Sequence, residues 1–413
     1  MTSKSVGIEA INVYCGFAQI SVPVLFEGRG LDSARIANLM MDQRSVQLPF
    51  EDPVTNAVNA AKALLESLDQ HERDEIGLLV TSTESGLDYS KSIASFAHGH
   101  LGLSRHCRLL EVKHACYGTS AMVQLAAGYL ASEGLPQSKA LIIATDVTVV
   151  DGDHPYAEPA TGFGAVAVLI SDQPNILALD RTTFGNYGFD TMDAARPTPT
   201  LELWDPDQSL LTYIECLKQS YQHYAARVPA ADFVASFDRL AFHTPFAGLI
   251  KSVHRTMMRA FARRPAQEID EDFQRRVLPS LTYPRIVGNL FSGSVYLALC
   301  SSIETAPDAG GKKIGMYSYG SGCSSEFYSG RIHPEAPATL ATMRISDRLR
   351  SRRELTFPEY ARILDQTHEC LVPKPEHKVD LAEWSDFLDS VPGRTPALAL
   401  SNISNYQRQY EWI

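Results

Sequence analysis

Arg108-Leu-Leu-Glu-Val-Lys-His-Ala-Cys-Tyr-Gly-Thr-Ser-Ala-Met-Val-Gln-Leu-Ala-Ala-Gly-Tyr-Leu-Ala131 reads as a strand, a tight small-residue turn and a helix. The strand is Arg108–Val112 and the helix runs from about Gly118 to Ala131. The same alternation extends outward on both sides. Towards the N-terminus, Ser5–Tyr14 and Ile76–Ser82 read as strands, and Ala57–Leu68 and Ile93–Leu101 as helices. Towards the C-terminus, Lys139–Thr145 and Gly164–Ser171 are short apolar runs of buried-strand type. Strands that alternate with amphipathic helices imply an α/β layered fold.

The second half repeats the theme. Gln208–Ala225, Ala247–Arg264 and Gly293–Ser302 read as helices, with Pro265 stopping the second. Arg239–His243 and Lys313–Tyr319 read as strands. His114-Ala-Cys-Tyr-Gly-Thr-Ser-Ala and Gly288-Asn-Leu-Phe-Ser-Gly-Ser-Val look related, each a small-residue turn that feeds a helix. Two similar halves are therefore expected, residues 1–171 and 172–413. Arg196–Asp207 holds three prolines and reads as a structured loop.

Composition narrows the function. The chain has 413 residues and 37 basic against 48 acidic side chains, a net charge of −11. Nucleic-acid binders are usually basic, so that partner class is disfavoured. No stretch reaches the ~18 consecutive apolar residues of a membrane span. Met1–Gly7 lacks the basic start and apolar run of a secretory signal, which makes the cytoplasm the expected location. Seven cysteines at wide spacings, with no Cys-x-x-Cys, argue against a disulfide scaffold and against zinc. His98, His100 and His106 have no familiar metal spacing, so no metal is assigned. Neither Gly-x-Gly-x-x-Gly nor a Walker loop occurs, which speaks against nucleotide cofactors.

Cys116 is the cysteine with a chemical setting. Between a strand and a helix start, a thiol meets unsatisfied backbone N–H groups and the positive end of the helix macrodipole. That setting lowers a thiol pKa, and the same N–H groups suit the oxygen of a thioester carbonyl. A packed structural thiol fits the position equally well. Glu84, after the buried strand, is placed for a raised pKa and general acid/base work, or for an ordinary acid beside a turn. His243 ends a strand before Thr244-Pro245, where an imidazole orients a carbonyl or simply packs. Asn289 offers an amide to a carbonyl, or a helix cap.

Seven motifs in order then carry a resemblance that covers nearly the whole chain. They are Ser82-Thr-Glu-Ser-Gly-Leu-Asp88, His114-Ala-Cys-Tyr-Gly-Thr119, Ala144-Thr-Asp146, Thr161-Gly-Phe-Gly-Ala-Val-Ala167, Phe242-His-Thr-Pro245, Gly288-Asn-Leu-Phe-Ser292 and Ser318-Tyr-Gly-Ser-Gly322. The chain resembles the 3-hydroxy-3-methylglutaryl-CoA synthase family. Met192-Asp-Ala-Ala-Arg-Pro197 is similar, in degraded form, to a family loop that carries an active-site Asp. The resemblance implies a thiolase-like fold, with two βαβαβ-type halves in α-β-α-β-α layers. It implies Cys116 as the nucleophile that accepts an acetyl group, Glu84 as general acid/base and His243 as the residue that binds the acceptor carbonyl. Asp146, Asp193, Asn289 and Ser321 match substrate-binding positions that shape the site. A homodimer is expected by analogy with the fold.

Two family branches are open. One acts on acetyl-CoA and acetoacetyl-CoA in the mevalonate pathway. The other performs β-branching in polyketide assembly, on substrates held by the phosphopantetheine of acyl carrier proteins. Members that use CoA commonly carry a Lys five residues after the catalytic His, and here that residue is Gly248. The ending Asn405-Tyr-Gln-Arg-Gln-Tyr-Glu-Trp412 also resembles the assembly-line branch. Lys251, Arg255, Arg259 and Arg263 recur every four residues after His243, a basic stripe suited to an acidic carrier protein. A solvated face paired with local acids is the alternative. Arg344, Arg348, Arg350, Arg352 and Arg353 form a second basic cluster. Donor and acceptor carrier proteins are the expected partners, and no cofactor is expected to be bound by the enzyme itself. A decarboxylating ketoacyl synthase of the same fold and a non-catalytic carrier-docking protein are the rival readings.

Overall fold

The computed structural model describes residues 5–132, 138–149, 155–306 and 308–413. Met1–Lys4, the start of the stretch read for a signal, lie outside the described residues. Nine strands join in one hydrogen-bonded order: Arg239–Phe242, Lys313–Gly320, Ser324–Ile332, Leu177–Gly188, Gly7–Tyr14, Gly164–Ser171, Lys139–Asp146, Ile76–Ser82 and Arg108–Val112. From Gly7–Tyr14 outward, the first half pairs antiparallel, antiparallel, parallel, parallel. From Leu177–Gly188 outward, the second half pairs antiparallel, antiparallel, parallel. The innermost strands of the two series meet through Gly7–Ala178 and Ile8–Leu177.

Helices fill the layers. The helix Pro53–Glu66 covers one face of the first series, and Pro206–Arg227 and Ala247–Met257 cover the outer face of the second. Gly118–Leu130 and Ser294–Glu304 share a central apolar cluster with strands of both series. The result is the α-β-α-β-α layering of a thiolase-like fold. The buried strands explain why the short apolar runs were readable: Ile76–Ser82, Lys139–Asp146 and Gly164–Ser171 are buried throughout.

Element ends differ where caps decide them. The first covering helix starts at Pro53, four residues before the expected Ala57, because Asp52 and Thr55 form a reciprocal capping box and proline suits the first turn. The helix after His243 ends at Met257 and passes into a wider turn, Met258–Ala262, before Arg263 at φ +51°. The expected loop Arg196–Asp207 is in part a two-stranded ribbon, Ala194–Thr198 against Leu201–Trp204. Among the described residues no further strand pairs with the ribbon, and its register shifts between Leu201 and Leu203, opposite Pro197, which has no N–H to give a ladder.

Candidate active site

The segment Ala115–Tyr117 forms a single tight turn between the strand Arg108–Val112 and the helix that begins at Gly118. Ala115 sits at φ +37°, an unfavourable backbone for a residue with a side chain, and it aims the next residue, Cys116. The end of the strand Lys313–Gly320 crosses close by. A Cβ at Gly320 would lie 2.7 Å from the Tyr117 nitrogen, so glycine is needed for that approach. The turn Phe291–Gly293 closes the other side. Thr119 and Ser292 share a hydrogen bond of 2.8 Å. The two segments that look alike in sequence therefore face each other across the site.

Cys116 and Glu84 are brought into direct contact. The Cys116 thiol donates to Glu84 Oε1 at 3.5 Å. Both residues are half-buried. Burial, then the Asp146 carboxyl, then Glu202 push the Glu84 carboxyl well above the usual carboxylate range. Burial first, and the Glu84 carboxyl second, push the Cys116 thiol up as well. This corrects the expectation that a helix start lowers it. The helix begins two residues later, at Gly118, and the thiol faces acids in an enclosed corner. The resting thiol is protonated.

Asp146 organises that corner. Its Oδ1 accepts from the Thr83 hydroxyl (2.9 Å), the Glu84 N–H (2.8 Å), the Ser85 N–H (3.2 Å) and the Ser85 hydroxyl (3.1 Å). Its Oδ2 is buried, with no hydrogen-bond partner among the described residues. Burial dominates and pushes this carboxyl up, against the pull of those donors.

His243 is buried and fixed through its backbone. Its N–H donates to Tyr317 O at 2.7 Å, and its carbonyl accepts from the Tyr213 hydroxyl at 2.7 Å. The ring packs beside the adjacent pair Tyr213 and Tyr319, with centroids 6.3 and 6.4 Å away. Burial lowers its pKa to about 3, a contact with the Phe291 backbone working the other way, so the imidazole is neutral. Among the described residues its Nδ1 has no hydrogen-bond partner. Asp193 is fully buried and accepts from the Tyr319 hydroxyl and from the Gly322 N–H at 3.0 Å. Ser321 borders the same tyrosine hydroxyl. Asn289 Oδ1 accepts from the Phe291 N–H (2.9 Å) and the Ser294 hydroxyl (2.7 Å), as a turn cap does. The other six cysteines are buried, and Cys323 packs its sulfur 3.5 Å from that of Cys216.

The basic stripe divides. Arg255, Arg259 and Arg263 are exposed and Lys251 is half-buried, its ammonium 5.9 Å from the Phe273 ring centre. Arg255 pairs with Asp270 at 3.7 Å and Arg264 with Glu268 at 3.5 Å. Among the described residues, no ion pair involves Arg259 or Arg263. The second basic cluster is not one surface: Arg352 is buried, Arg348 donates to Met343 O and Asn12, and Arg353 pairs with Glu359. Gly248 has its own structural reason. A Cβ there would lie 1.8 Å from Asn38 O, so no larger side chain fits while the helix Ile36–Leu39 packs against it.

Four neighbours were not found from sequence. Tyr117 donates to Glu326 at 2.9 Å, and burial raises Glu326 to about 7. Arg196 and Glu202, from the ribbon, brace the Glu84 turn. Tyr117 and Arg196 left a trace, inside the motifs that carry Cys116 and Asp193. Among the described residues no group of three or more His, Cys, Asp or Glu is arranged to hold a metal, and no helix is long and apolar enough to cross a membrane.

Two family models match the chain, hydroxymethylglutaryl-coenzyme A synthase N terminal over residues 2–175 and C terminal over residues 269–383. The chain is 41% identical to the polyketide biosynthesis 3-hydroxy-3-methylglutaryl-ACP synthase PksG of Bacillus subtilis (strain 168), over 99% of each chain. It is 33% identical to the hydroxymethylglutaryl-CoA synthase of Enterococcus faecalis, over 88% of this chain and 92% of that one. The crystal structure of the curacin biosynthetic pathway HMG synthase in complex with acetyl donor-ACP superposes with a TM-score of 0.96 at 42% identity, covering 99% of this chain and 100% of that one.

Proposed function

The chain belongs to the hydroxymethylglutaryl-coenzyme A synthase family, and from that premise we propose that it performs polyketide β-branching on substrates held by acyl carrier proteins. The observation that carries the chemistry is the contact between the Cys116 thiol and a Glu84 carboxyl of raised pKa. Full-length likeness to relatives named for carrier-protein substrates supports the branch.

The reaction runs in four steps. The Cys116 sulfur attacks the acetyl thioester of a donor carrier, its proton passing to Glu84, and the donor thiol leaves with that proton. Glu84, again a carboxylate, takes a proton from the methyl group of the acetyl-enzyme. The carbon nucleophile adds to the β-ketone of the acceptor, and the alkoxide takes the proton back from Glu84. Water then cleaves the enzyme thioester, leaving a free carboxylic acid on a 3-hydroxy-3-methylglutaryl-like product and a free thiol on Cys116. A carboxyl with a raised pKa suits this work because it both accepts and returns a proton near neutrality.

The remaining residues take supporting roles in this reading. Neutral His243 meets the acceptor carbonyl. The amide nitrogen of Asn289 does the same, its oxygen being engaged in the turn. Asp146 holds the Glu84 turn, while Asp193 and Ser321 hold Tyr319 beside His243. Lys251, Arg255, Arg259 and Arg263 form the face offered to the carrier protein. We read residues 1–171 and 172–413 as two related halves, in an enzyme that works as a cytoplasmic homodimer with a donor and an acceptor carrier.

Intact-mass measurement after incubation with an acetyl-carrier tests the assignment. One acetyl group should appear on the protein, and Cys116→Ala should abolish it. Condensation should run faster with a carrier-bound β-ketone than with free acetoacetyl-CoA. Equal rates would move the chain to the mevalonate branch, and no acetyl adduct would remove the nucleophile assignment.

A further inference from the structure

Resting on the reading of Glu84 as the acid/base, we propose that Arg196 is a positioning residue: held by Glu202, it locks the Thr83–Ser85 turn and so fixes the Glu84 carboxyl against Cys116. Arg196 lies in the ribbon strand Ala194–Thr198, yet its side chain is only 6% exposed. Its Nη1 donates to the Ser85 hydroxyl (2.9 Å) and to Val147 O (3.0 Å), and its Nη2 donates to Pro199 O (2.9 Å). Glu202, on the facing strand, pairs with Nη1 at 3.2 Å.

These bonds give the Ser85 hydroxyl a direction. The Val147 N–H (3.1 Å) and Arg196 Nη1 both donate to its oxygen and take its lone pairs. Arg196 also shares Val147 O, a neutral acceptor for the serine proton and a weaker one than a carboxylate oxygen. The proton is left for Asp146 Oδ1, the atom that also collects Thr83, the Glu84 N–H and the Ser85 N–H. The arginine thus orders the turn from one bond away and touches neither carboxyl. A direct ion pair would hold Glu84 ionised and remove its ability to return a proton. Standing off, the cation still favours the ionised forms of Glu84 and Asp146 through space, and Glu202 opposes it at Glu84.

Opposite charges on the two ribbon residues give an opposite-sign test. Condensation rate against pH is measured for the full chain, for Arg196→Gln, Arg196→Lys and Glu202→Gln, with thermal unfolding to confirm that each is folded. Glu84 must be ionised to take the methyl proton, so the rate rises as pH passes its pKa. Arg196→Gln should lower the condensation rate about tenfold or more and move that rise up by about one pH unit. Arg196→Lys should bring the rise back towards its original place. Glu202→Gln, with the cation kept, should move it down. A simple brace would weaken activity or stability in both variants without moving the profile in opposite directions, and that result overturns the proposal. Arg196→Gln with an unmoved profile overturns it too. If Arg196→Gln fails to fold, Glu202→Gln decides alone: a downward shift supports the proposal and none sinks it. Wild-type protein that takes no acetyl group would instead overturn the reading of the site.

Discussion

Asp272 and Glu84 are both carboxyls enclosed by protein, and each has an arginine nearby. At Asp272 the arginine makes contact. Arg276, fully buried, donates through Nε at 2.8 Å and Nη2 at 2.7 Å, and His254 Nε2 lies 2.8 Å away. Burial pushes Asp272 up, but His254 and Arg276 outweigh it and hold the group well below the usual carboxylate range. At Glu84 the nearest arginine stops one residue short, at Ser85. There burial and neighbouring acids win, and the carboxyl rises. Burial is common to both corners, so burial alone does not make an acid functional. Direct saturation by cationic donors makes a permanent anion, and its absence makes a proton carrier.

The sharpest way to break this contrast is to neutralise each acid. Glu84→Gln should reduce condensation by about 10²–10⁴-fold, the usual worth of a general acid/base. It should not lower stability, because it removes a charge the fold disfavours. A condensation rate unchanged in this variant would favour a decarboxylating ketoacyl synthase, which has no need of that acid. Asp272→Ala should do the reverse. It strands buried Arg276 without its partner, at a cost of about 3–5 kcal/mol in urea unfolding, while acetyl loading per folded molecule stays the same.

Acidity separates the two corners with opposite signs. Asp272 has a depressed folded pKa, so its stabilisation is present above the unfolded value near 4 and is lost as pH falls below it. Glu84 and Asp146 have raised folded pKa values, so the folded state binds more protons than the unfolded chain across the window above the ordinary carboxylate range. Their contribution is greatest below that range and declines as pH rises through their folded values. Urea unfolding at a series of pH values should therefore show Glu84→Gln with a shallower loss of stability towards alkaline pH than wild type. Parallel curves would mean that Glu84 titrates alike in both states.

Sequence reading reached these corners unequally. Cys116, Glu84 and His243 stand at strand ends or in turns next to strands, and buried strands leave apolar runs that are easy to see, as at Ile76–Ser82. Arg196 was missed because it acts across about 110 residues of chain, through Ser85, and no local pattern encodes that contact. The Cys116 pKa was misread for the same reason: the helix start is local, whereas the acids that oppose it come from three other segments. Asp272 and Arg276 look in sequence like one more i, i+4 surface pair, and only the fold buries them. Gly248 carried a hint of branch, yet its packing reason is Asn38, which is distant in sequence. Gly248→Ala should cost about 1–3 kcal/mol in urea unfolding by overpacking that contact. A neutral result would show that the helix Ile36–Leu39 yields easily.

The smallest expected effect concerns charges that stay in water. Arg255 and Arg264 spend part of their charge on Asp270 and Glu268, and Lys251 is half-buried against Phe273, so the carrier-facing stripe reduces to Arg259 and Arg263 as the exposed cations with no ion pair among the described residues. Both are exposed, and exposed pairs are worth about 0.2–1 kcal/mol each. Arg259→Glu should therefore weaken carrier binding by only a few-fold at physiological salt, with a larger loss at low salt, where screening is weak. The effect should fall mainly on the association rate, because a rim charge steers the encounter. Acetyl transfer from a small thioester donor needs no carrier and should not change. Association kinetics at two ionic strengths separate the cases. A salt-independent loss would mean that Arg259 makes a dry contact with the carrier, and no loss at low salt would move the docking face away from this helix.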